Sequence, residues 1–228
     1  MNTSLDKIHK AIIERDKKDA KICAENRRNL NKVGLRLYKP KRIIKINTGK
    51  VIGVENVVNL IAKQLKENEK MISIEGTSGC GKSSTAEMLA KKINAVQISV
   101  GELIRYLTYY IESDQNAEPK TILSNLSYKI INNKACLFKR DNDLLKKIGD
   151  DLHIHNIDLL VADVARICQA EVIKFMLRET KHLAENSQYN IIIDGRAHSL
   201  DFLPSDLRVI LYADAGVRAE RRLKQDSA

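Results

Sequence analysis

The chain has 228 residues, of which 43% are hydrophobic, and this length suits one substantial core or a core with a small inserted subdomain. No apolar run approaches the roughly 18 residues that a membrane span needs. The four cysteines are scattered without a Cys-x-x-Cys pair, which argues against a disulfide framework or a zinc site and agrees with a cytoplasmic location.

The positive charge is concentrated at the front of the chain. Residues 1–50 contain 15 lysines and arginines against 5 acidic residues, whereas residues 51–228 contain 24 of each, so the net charge of +10 belongs to the first 50 residues. Such a block could bind a nucleic acid or an anionic surface, close over a polyphosphate, or form a solvated basic helix.

Hydrophobic periodicity predicts the secondary structure in chain order. The first 70 residues contain a helix, a strand with a turn and a second helix, over residues 4–30, 42–49 and 54–65. From residue 71 strands at 71–75, 95–99, 189–195 and 207–214 alternate with helices after 83, at 100–111, 157–185 and 215–225. The helical pattern over residues 157–185 allows a break. This alternation predicts a mostly parallel α/β sheet. The stretch "LSYKIINNKACLF" is predicted to be an inserted hairpin that turns at Asn132-Asn133.

The most specific motif is a phosphate-binding loop. Residues 76–83, "GTSGCGKS", match G-x-x-x-x-G-K-[ST] at every position, after a predicted strand and before a predicted helix. Glycines allow backbone N–H groups to turn toward phosphates, Lys82 can reach the β- and γ-phosphates, and the Ser83 hydroxyl is the predicted Mg²⁺ ligand. The predicted nucleotide-binding set is Gly76, Thr77, Ser78, Gly79, Cys80, Gly81, Lys82, Ser83 and Ser84.

A second candidate site follows the buried strand in "IIIDGR", residues 191–196. Doubly wound sheets bind ligands at the carboxyl ends of their strands, so Asp194 is predicted near the metal or the acceptor, and the planar fork of Arg196 near an acceptor phosphate. Arg105 lies one helical turn after Gly101 and could clamp the same phosphate. These groups could instead be ordinary charges at a strand end or on a helix surface.

Together these segments resemble the bacterial cytidylate kinase family of P-loop nucleoside monophosphate kinases. Five stretches follow the family order: "ISIEGTSGCGKSSTAEMLAKKI", "ISVGELIRYLT", "LHIHNIDLLVADVARI", "IIIDGR" and "LRVILYADAGVRAERRLKQ". The hairpin falls where that family carries a small β insertion. The resemblance implies a three-layer α/β/α fold with a five-stranded parallel sheet, of order 2-3-1-4-5 in family terms. It also implies an inserted monophosphate-binding subdomain over residues 100–157.

The segment ahead of the loop resembles the family's C-terminal end. The stretch "IIERDKKD", residues 12–19, resembles its Arg-Asp-x-x-Asp segment, and residues 42–65 resemble its last strand, turn and final helix. The resemblance therefore implies one circularly permuted domain, with residues 1–68 equivalent to the family's C-terminal part and residues 71–228 to its N-terminal part. It predicts the strand order 95–99, 190–194, 71–75, 208–212, 42–47. A separate front domain would instead leave residues 208–212 at the sheet edge.

The resemblance implies ATP-dependent phosphoryl transfer to a nucleoside monophosphate, with a (d)CMP-like acceptor and with Mg²⁺. The implied catalytic residues are Lys82, Arg196, Arg221 and Arg222. Arg218 and Arg15 are implied ATP-binding cations, and together with Arg221 and Arg222 they form a lid to which both chain ends contribute. The implied acceptor ligands are Gly101, Arg105, Asp194, Arg196 and Asp19. The expected partners are nucleotide substrates rather than a membrane or a nucleic acid, and a monomer is expected. The alternatives are a non-catalytic nucleotide binder and a nucleic-acid-binding protein that uses its basic front segment.

Five positions depart from the family pattern, all on the acceptor side, and one of them is Ile104, which replaces the tyrosine before Arg105. Ala197 replaces the last carboxylate of Asp-Gly-Arg-Asp, and Val100 replaces the serine before the glycine. His153 replaces an arginine ahead of the long helix, and Ile22 replaces the last arginine of Arg-Asp-x-x-Asp-x-x-Arg. These departures predict weak selectivity for cytosine and a reduced or altered activity.

Overall fold

The computed structural model describes residues 4–114, 117–131, 134–139, 142–143 and 155–226. Within these residues the strands are β1 (Arg42–Asn47), β2 (Met71–Gly76), β3 (Val96–Ser99), β4 (Ser127–Ile131), β5 (Lys134–Lys139), β6 (Asn142–Asp143), β7 (Ile191–Gly195) and β8 (Leu207–Tyr212). The helices are α1 (Ser4–Lys32), α2 (Val54–Gln64), α3 (Lys82–Lys92), α4 (Val100–Ser113), α5 (Pro119–Ser124), α6 (His155–Ile167), α7 (Gln169–Asn186), α8 (Ala197–Leu200) and α9 (Ala215–Asp226). None of the described helices combines the length and the apolar character that crossing a membrane requires.

Five parallel strands form the main part of an α/β sheet in the order β1-β8-β2-β7-β3, with β1 at its edge. This is the strand order that the sequence predicts, and the prediction is confirmed. β1 pairs with β8 along its whole length, from Arg42 opposite Leu207 to Asn47 opposite Tyr212. The front segment therefore supplies a strand of the main sheet and covers the side of β8 that faces away from β2.

The predicted hairpin is also present, because β4 and β5 pair in antiparallel fashion. Its predicted turn at Asn132-Asn133 lies outside the described residues. β5 also pairs in parallel with β3 at Lys134 and Gln97, so the hairpin extends the main sheet at this edge. The helical stretch predicted over residues 157–185, in which the pattern allows a break, consists of two helices, α6 and α7, which meet at Cys168.

The sheet separates two apolar clusters. Successive side chains of a strand point to opposite faces, so Ile192 belongs to one cluster and Ile191 and Ile193 to the other. The first cluster also contains the buried face of α2, formed by Val57, Val58 and Ile61. The front segment is thus part of the same hydrophobic core as the strand that leads into the phosphate-binding loop.

α1 is anchored by charged side chains as well as by a few buried ones. Of its 29 residues, the buried ones are Ile12, Asn26 and Leu30. Arg27 donates two hydrogen bonds to one carboxylate oxygen of Asp201, and the buried Arg208 donates to the other oxygen at 2.7 Å. Because buried charges need partners, Asp201 joins the basic front helix to the body of the protein.

Another ion pair, between Arg42 and Glu69, ties β1 to the connection before β2. The guanidinium donates to both carboxylate oxygens at 2.6 and 2.7 Å, and the Lys66 N–H donates at 2.9 Å. The Arg42 hydrogen bonds lower the pKa of Glu69 despite its burial. A lowered carboxyl pKa stabilises the fold above the unfolded value of about 4.3, and this contribution disappears as the pH falls through the folded value.

We expect Glu69→Gln to lower the free energy of unfolding by about 1–3 kcal/mol at pH 7, the usual worth of a hydrogen bond to a charged group. The difference from the wild type should shrink as the pH falls below about 4. Denaturant unfolding at several pH values measures both effects, with the exposed Glu67→Gln as control. A difference that does not depend on pH would contradict this role for the ion pair.

Candidate functional site

The phosphate-binding loop joins the end of β2 to the start of α3. Gly79 and Gly81 have φ angles of 77° and 86°, which glycine adopts without strain. A Cβ on Gly76 would lie 2.4 Å from the Cys80 Sγ and 2.5 Å from the Leu211 carbonyl oxygen, so this position requires glycine. The loop thus packs tightly at the N-terminus of α3, where backbone N–H groups favour an anion.

The loop residues predicted to bind nucleotide stay together in the structure. Lys82 is half-buried, and its Nζ donates to the Thr77 carbonyl at 3.2 Å. The Cys80 Sγ donates to the same carbonyl at 2.9 Å, and burial raises the pKa of this thiol. Cys80 therefore fills space as a protonated thiol. Ser83 and Ser84 are exposed in the first turn of α3.

Asp194 lies at the carboxyl end of β7, next to the strand that leads into the loop. Its carboxylate accepts hydrogen bonds from Ser83 Oγ at 3.3 Å, Gln97 Nε2 at 2.8 Å and Ser99 Oγ at 3.2 Å. Burial raises the pKa of Asp194, and these three donors oppose that shift. Gln97 was not predicted as a site residue. Its signal in the sequence was a polar residue between the apolar Val96 and Ile98 of β3.

Arg196 and Asp19, both predicted acceptor ligands, form an ion pair with each other. The side chains are 21% and 23% exposed, so the pair is mostly buried at the contact of α1 with the end of β7. Burial, together with the neighbouring positive charge of Arg15, lowers the pKa of Arg196 to about 10. The front helix therefore reaches the predicted acceptor side with a carboxylate as well as with cations.

Gly101 and Arg105 lie in the first two turns of α4, directly after β3. The position of a Cβ on Gly101 is 3.7 Å from both Arg105 Nη1 and Ser99 Oγ. Since Ser99 bonds to Asp194, Gly101 lies near the Asp194 carboxylate, and the Arg105 guanidinium lies beside Gly101. Val100 packs against Gly195, whose added Cβ would meet its side chain at 3.3 Å. The family's serine position is thus filled by a packing contact.

The predicted lid cations have different environments. Arg218 is buried and donates to the Ser78 carbonyl at 3.2 Å. Arg221 donates to the Gly79 carbonyl at 3.4 Å and to Thr48 Oγ1 at 3.0 Å. Arg222 and Arg15 lie exposed on α9 and α1. Two of the four cations thus bind carbonyl oxygens of the loop itself. The predicted meeting of the two chain ends lies outside the described residues.

The front segment also contacts the loop through Thr48, which sequence reasoning did not single out. Thr48 is 4% exposed, and its Oγ1 donates to the Cys80 carbonyl at 3.3 Å. Its N–H donates to the Tyr212 carbonyl at 2.8 Å, just beyond the pairing of β1 with β8. The Asn-Thr-Gly turn was predicted, but its contact with the loop follows from the position of β1 in the sheet.

Comparison with known proteins agrees with this geometry. A family model described as cytidylate kinase matches residues 72–228. The chain belongs to the cytidylate kinase family. The matched residues begin in β2 and include the phosphate-binding loop, Asp194, Arg196 and the three arginines of α9. This membership supports phosphoryl transfer to a nucleoside monophosphate as the chemistry of the site.

Relatives in the cytidylate kinase family match over similar lengths. The cytidylate kinase of Mesomycoplasma hyopneumoniae strain 232 is 30% identical over 164 residues, which cover 68% of this chain and 67% of the relative. That of Mycoplasmopsis synoviae strain 53 is 30% identical and covers 72% of each chain. That of Halalkalibacterium halodurans is 26% identical, over 68% of this chain and 70% of the relative.

Proposed function

We propose that this protein transfers the γ-phosphoryl group of ATP to a (d)CMP-like nucleoside monophosphate and releases two diphosphates. The observation that carries the proposal is the position of the two candidate half-sites. The phosphate-binding loop follows β2, and Asp194 and Arg196 follow β7, which is the neighbouring parallel strand. Carboxyl ends of adjacent parallel strands meet at one edge of the sheet, so a donor and an acceptor could lie side by side there.

In this proposal the protein positions the phosphates and neutralises their charge, because phosphoryl transfer needs little covalent chemistry from the enzyme. The loop N–H groups and Lys82 bind the donor. Arg105 and Arg196 bind the acceptor phosphate, which requires Arg196 to exchange Asp19 for the phosphate. Arg15 and Arg222, which are exposed, would approach the transferring group.

The residues around Ser83 suit a magnesium ion. Mg²⁺ prefers oxygen ligands, and the Ser83 hydroxyl is exposed beside the Asp194 carboxylate. Ser83 would hold the ion directly, with Asp194 behind it. When bound, the ion supplies charge neutralisation at the β- and γ-phosphates. Gln97 and Ser99 orient the carboxylate from the other side.

We further infer that the chain is a single, circularly permuted domain. Three observations support this. β1 occupies the outer position beside β8, α2 contributes to the core under β2, and Thr48 bonds to the loop. Residues 1–68 would then correspond to the family's C-terminal part, although they precede the part of the chain that the family model matches. Residues 100–157 would carry the monophosphate-binding insertion.

The acceptor is tested by measuring ADP release with CMP, dCMP, UMP, AMP and GMP. We expect turnover with CMP or dCMP, with a preference over AMP below about 10³-fold. Ala197 and Val100 lack the hydrogen-bonding groups that would reject other bases, and such groups carry much of a site's discrimination. A larger preference would contradict the weak selectivity. ATP binding without turnover on any acceptor would favour the non-catalytic nucleotide binder.

A further inference from the structure

α1 directs two carboxylates toward the functional site. Asp16 and Asp19 are three residues apart and therefore lie on one face of the helix. Asp16 pairs with Arg218 and Asp19 with Arg196, whereas the neighbouring Lys17 and Lys18 are exposed. Although the front segment is strongly basic, two of its acidic residues contact the site.

The partner of Asp16 lies beneath the phosphate-binding loop. The Arg218 side chain is 5% exposed. Its Nε donates to the Ala213 carbonyl at 3.0 Å, and its Nη1 donates to the Ser78 carbonyl at 3.2 Å and to Asp16 at 3.1 Å. Its Nη2 donates to the second oxygen of Asp16. Asp16 is the carboxylate that bonds to this buried guanidinium, and the other acceptors are neutral carbonyls.

Arg218 also determines where the loop can lie. The position of a Cβ on Gly79 would be 3.2 Å from the Arg218 Cβ and 3.3 Å from its carbonyl oxygen, so the loop rests directly on this residue. A phosphate-binding loop needs its N–H groups turned toward the anion, and its carbonyls must then point elsewhere. The Arg218 guanidinium accommodates one of these carbonyls, that of Ser78.

A buried guanidinium is costly without a counter-charge, and removing one partner of a buried ion pair leaves the other uncompensated. Without the Asp16 carboxylate, Arg218 would lose the partner of two of its hydrogen bonds and would favour a more solvated position. The Ser78 carbonyl would lose its donor, whereas the packing of Gly79 against the Cβ and backbone of Arg218 would remain. The effect would therefore appear at the donor loop, although Asp16 is 202 residues from Arg218 in the chain.

We propose that Asp16 is a positioning residue of the donor site, which holds the Arg218 guanidinium under the Ser78 carbonyl and so keeps the loop in the conformation that binds the triphosphate. This proposal rests on the proposed function for the identity of the ligand, ATP. Asp16 acts through Arg218 and touches neither nucleotide. It gives the front helix a specific role at the donor site, in addition to its cations.

The test compares Asp16→Asn with Glu14→Gln, which removes an exposed carboxylate of the same helix. Calorimetric titration with ATP and Mg²⁺ should show that Asp16→Asn raises the Kd by about 10-fold or more, the usual effect of losing a hydrogen bond to a charged group. The acceptor KM should change less than about twofold. Glu14→Gln should leave both quantities unchanged. In the ligand-free protein, Asp16→Asn should also accelerate amide exchange at residues 78–81.

A double-mutant cycle with Arg218→Met separates positioning from general destabilisation. If Asp16 acts through Arg218, the double variant should bind ATP no more weakly than Arg218→Met alone. Additive losses would overturn the proposal, as would an Asp16→Asn protein with wild-type Kd and wild-type amide exchange. Two results together would overturn the proposed function and leave the positioning role intact. They are a wild-type protein that phosphorylates no acceptor, and faster amide exchange at residues 78–81 in the Asp16→Asn variant.

Discussion

Lys82→Ala is expected to lower kcat for phosphoryl transfer by about 10³-fold, comparable with the loss of a preorganised charge-stabilising donor. Lys82 stands at the junction of the loop and α3, with its Nζ on the Thr77 carbonyl. A cation there would neutralise the charge that develops on the transferring phosphates. The side chain is half-buried and does not belong to either apolar cluster, so the fold should persist.

Coupled measurement of ADP release gives the rate, and thermal unfolding checks the fold. The matched control is Lys91→Ala, because Lys91 lies on the same helix in an exposed ion pair with Glu87. Exposed pairs of this kind contribute little to stability, so this variant should resemble the wild type in both measurements. Wild-type turnover of Lys82→Ala would require the donor to bind elsewhere.

Ile61→Ala is expected to lower the free energy of unfolding of the whole protein by about 2–5 kcal/mol, as for other large-to-small changes in a core. Ile61 is fully buried between α2 and the sheet, in the cluster that also contains Ile72 and Ile74 of β2. The neighbouring Leu60 is 36% exposed, and Leu60→Ala should cost less than about 1 kcal/mol. Denaturant unfolding measures the two effects.

Native-state amide exchange decides whether the front segment and the loop strand unfold together. In a single domain, Ile61→Ala should accelerate exchange of the Ile72 and Ile74 amides. Their free energy of opening should fall by the same amount as the global free energy of unfolding. Unchanged exchange in β2 would mean that α2 unfolds independently, and the single-domain inference would fail.

A rearranged chain that starts at residue 69 and carries residues 1–68 after residue 228 through a flexible linker should also fold, because α1 and α9 pack against each other.

Much of the sheet could be predicted from the sequence, because its signals are local. Apolar runs of strand length identified β1, β2, β7 and β8, and a helical period identified the elements between them. The position of β1 beside β8 required the family resemblance, since an apolar run does not specify its neighbour. The break at Cys168 and the short helices α5 and α8 depend on packing, and the pattern did not locate them.

The residues of the candidate site likewise fall into those that the sequence could predict and those that it could not. The phosphate-binding loop was evident because its residues are consecutive, and its glycines meet backbone constraints within the loop, such as the contact of Gly76 with Cys80. Asp194 and Arg196 were evident because they follow a buried strand. Gln97 was missed, because a polar residue in a strand does not show which carboxylate it will bond to.

Local sequence was therefore sufficient for the donor loop, the alternation of strands and helices and the excess of basic residues at the front. The partners of those charges depended on how distant segments pack. Arg218 was expected to be a lid cation, but it is buried under the loop, and Asp16 and Asp19 pair with arginines from the other end of the chain. An ion pair forms where two helices approach, and that approach is set by burial of apolar faces across the whole sheet. The local sequence around each residue shows its charge, but it does not show which residue will be its partner.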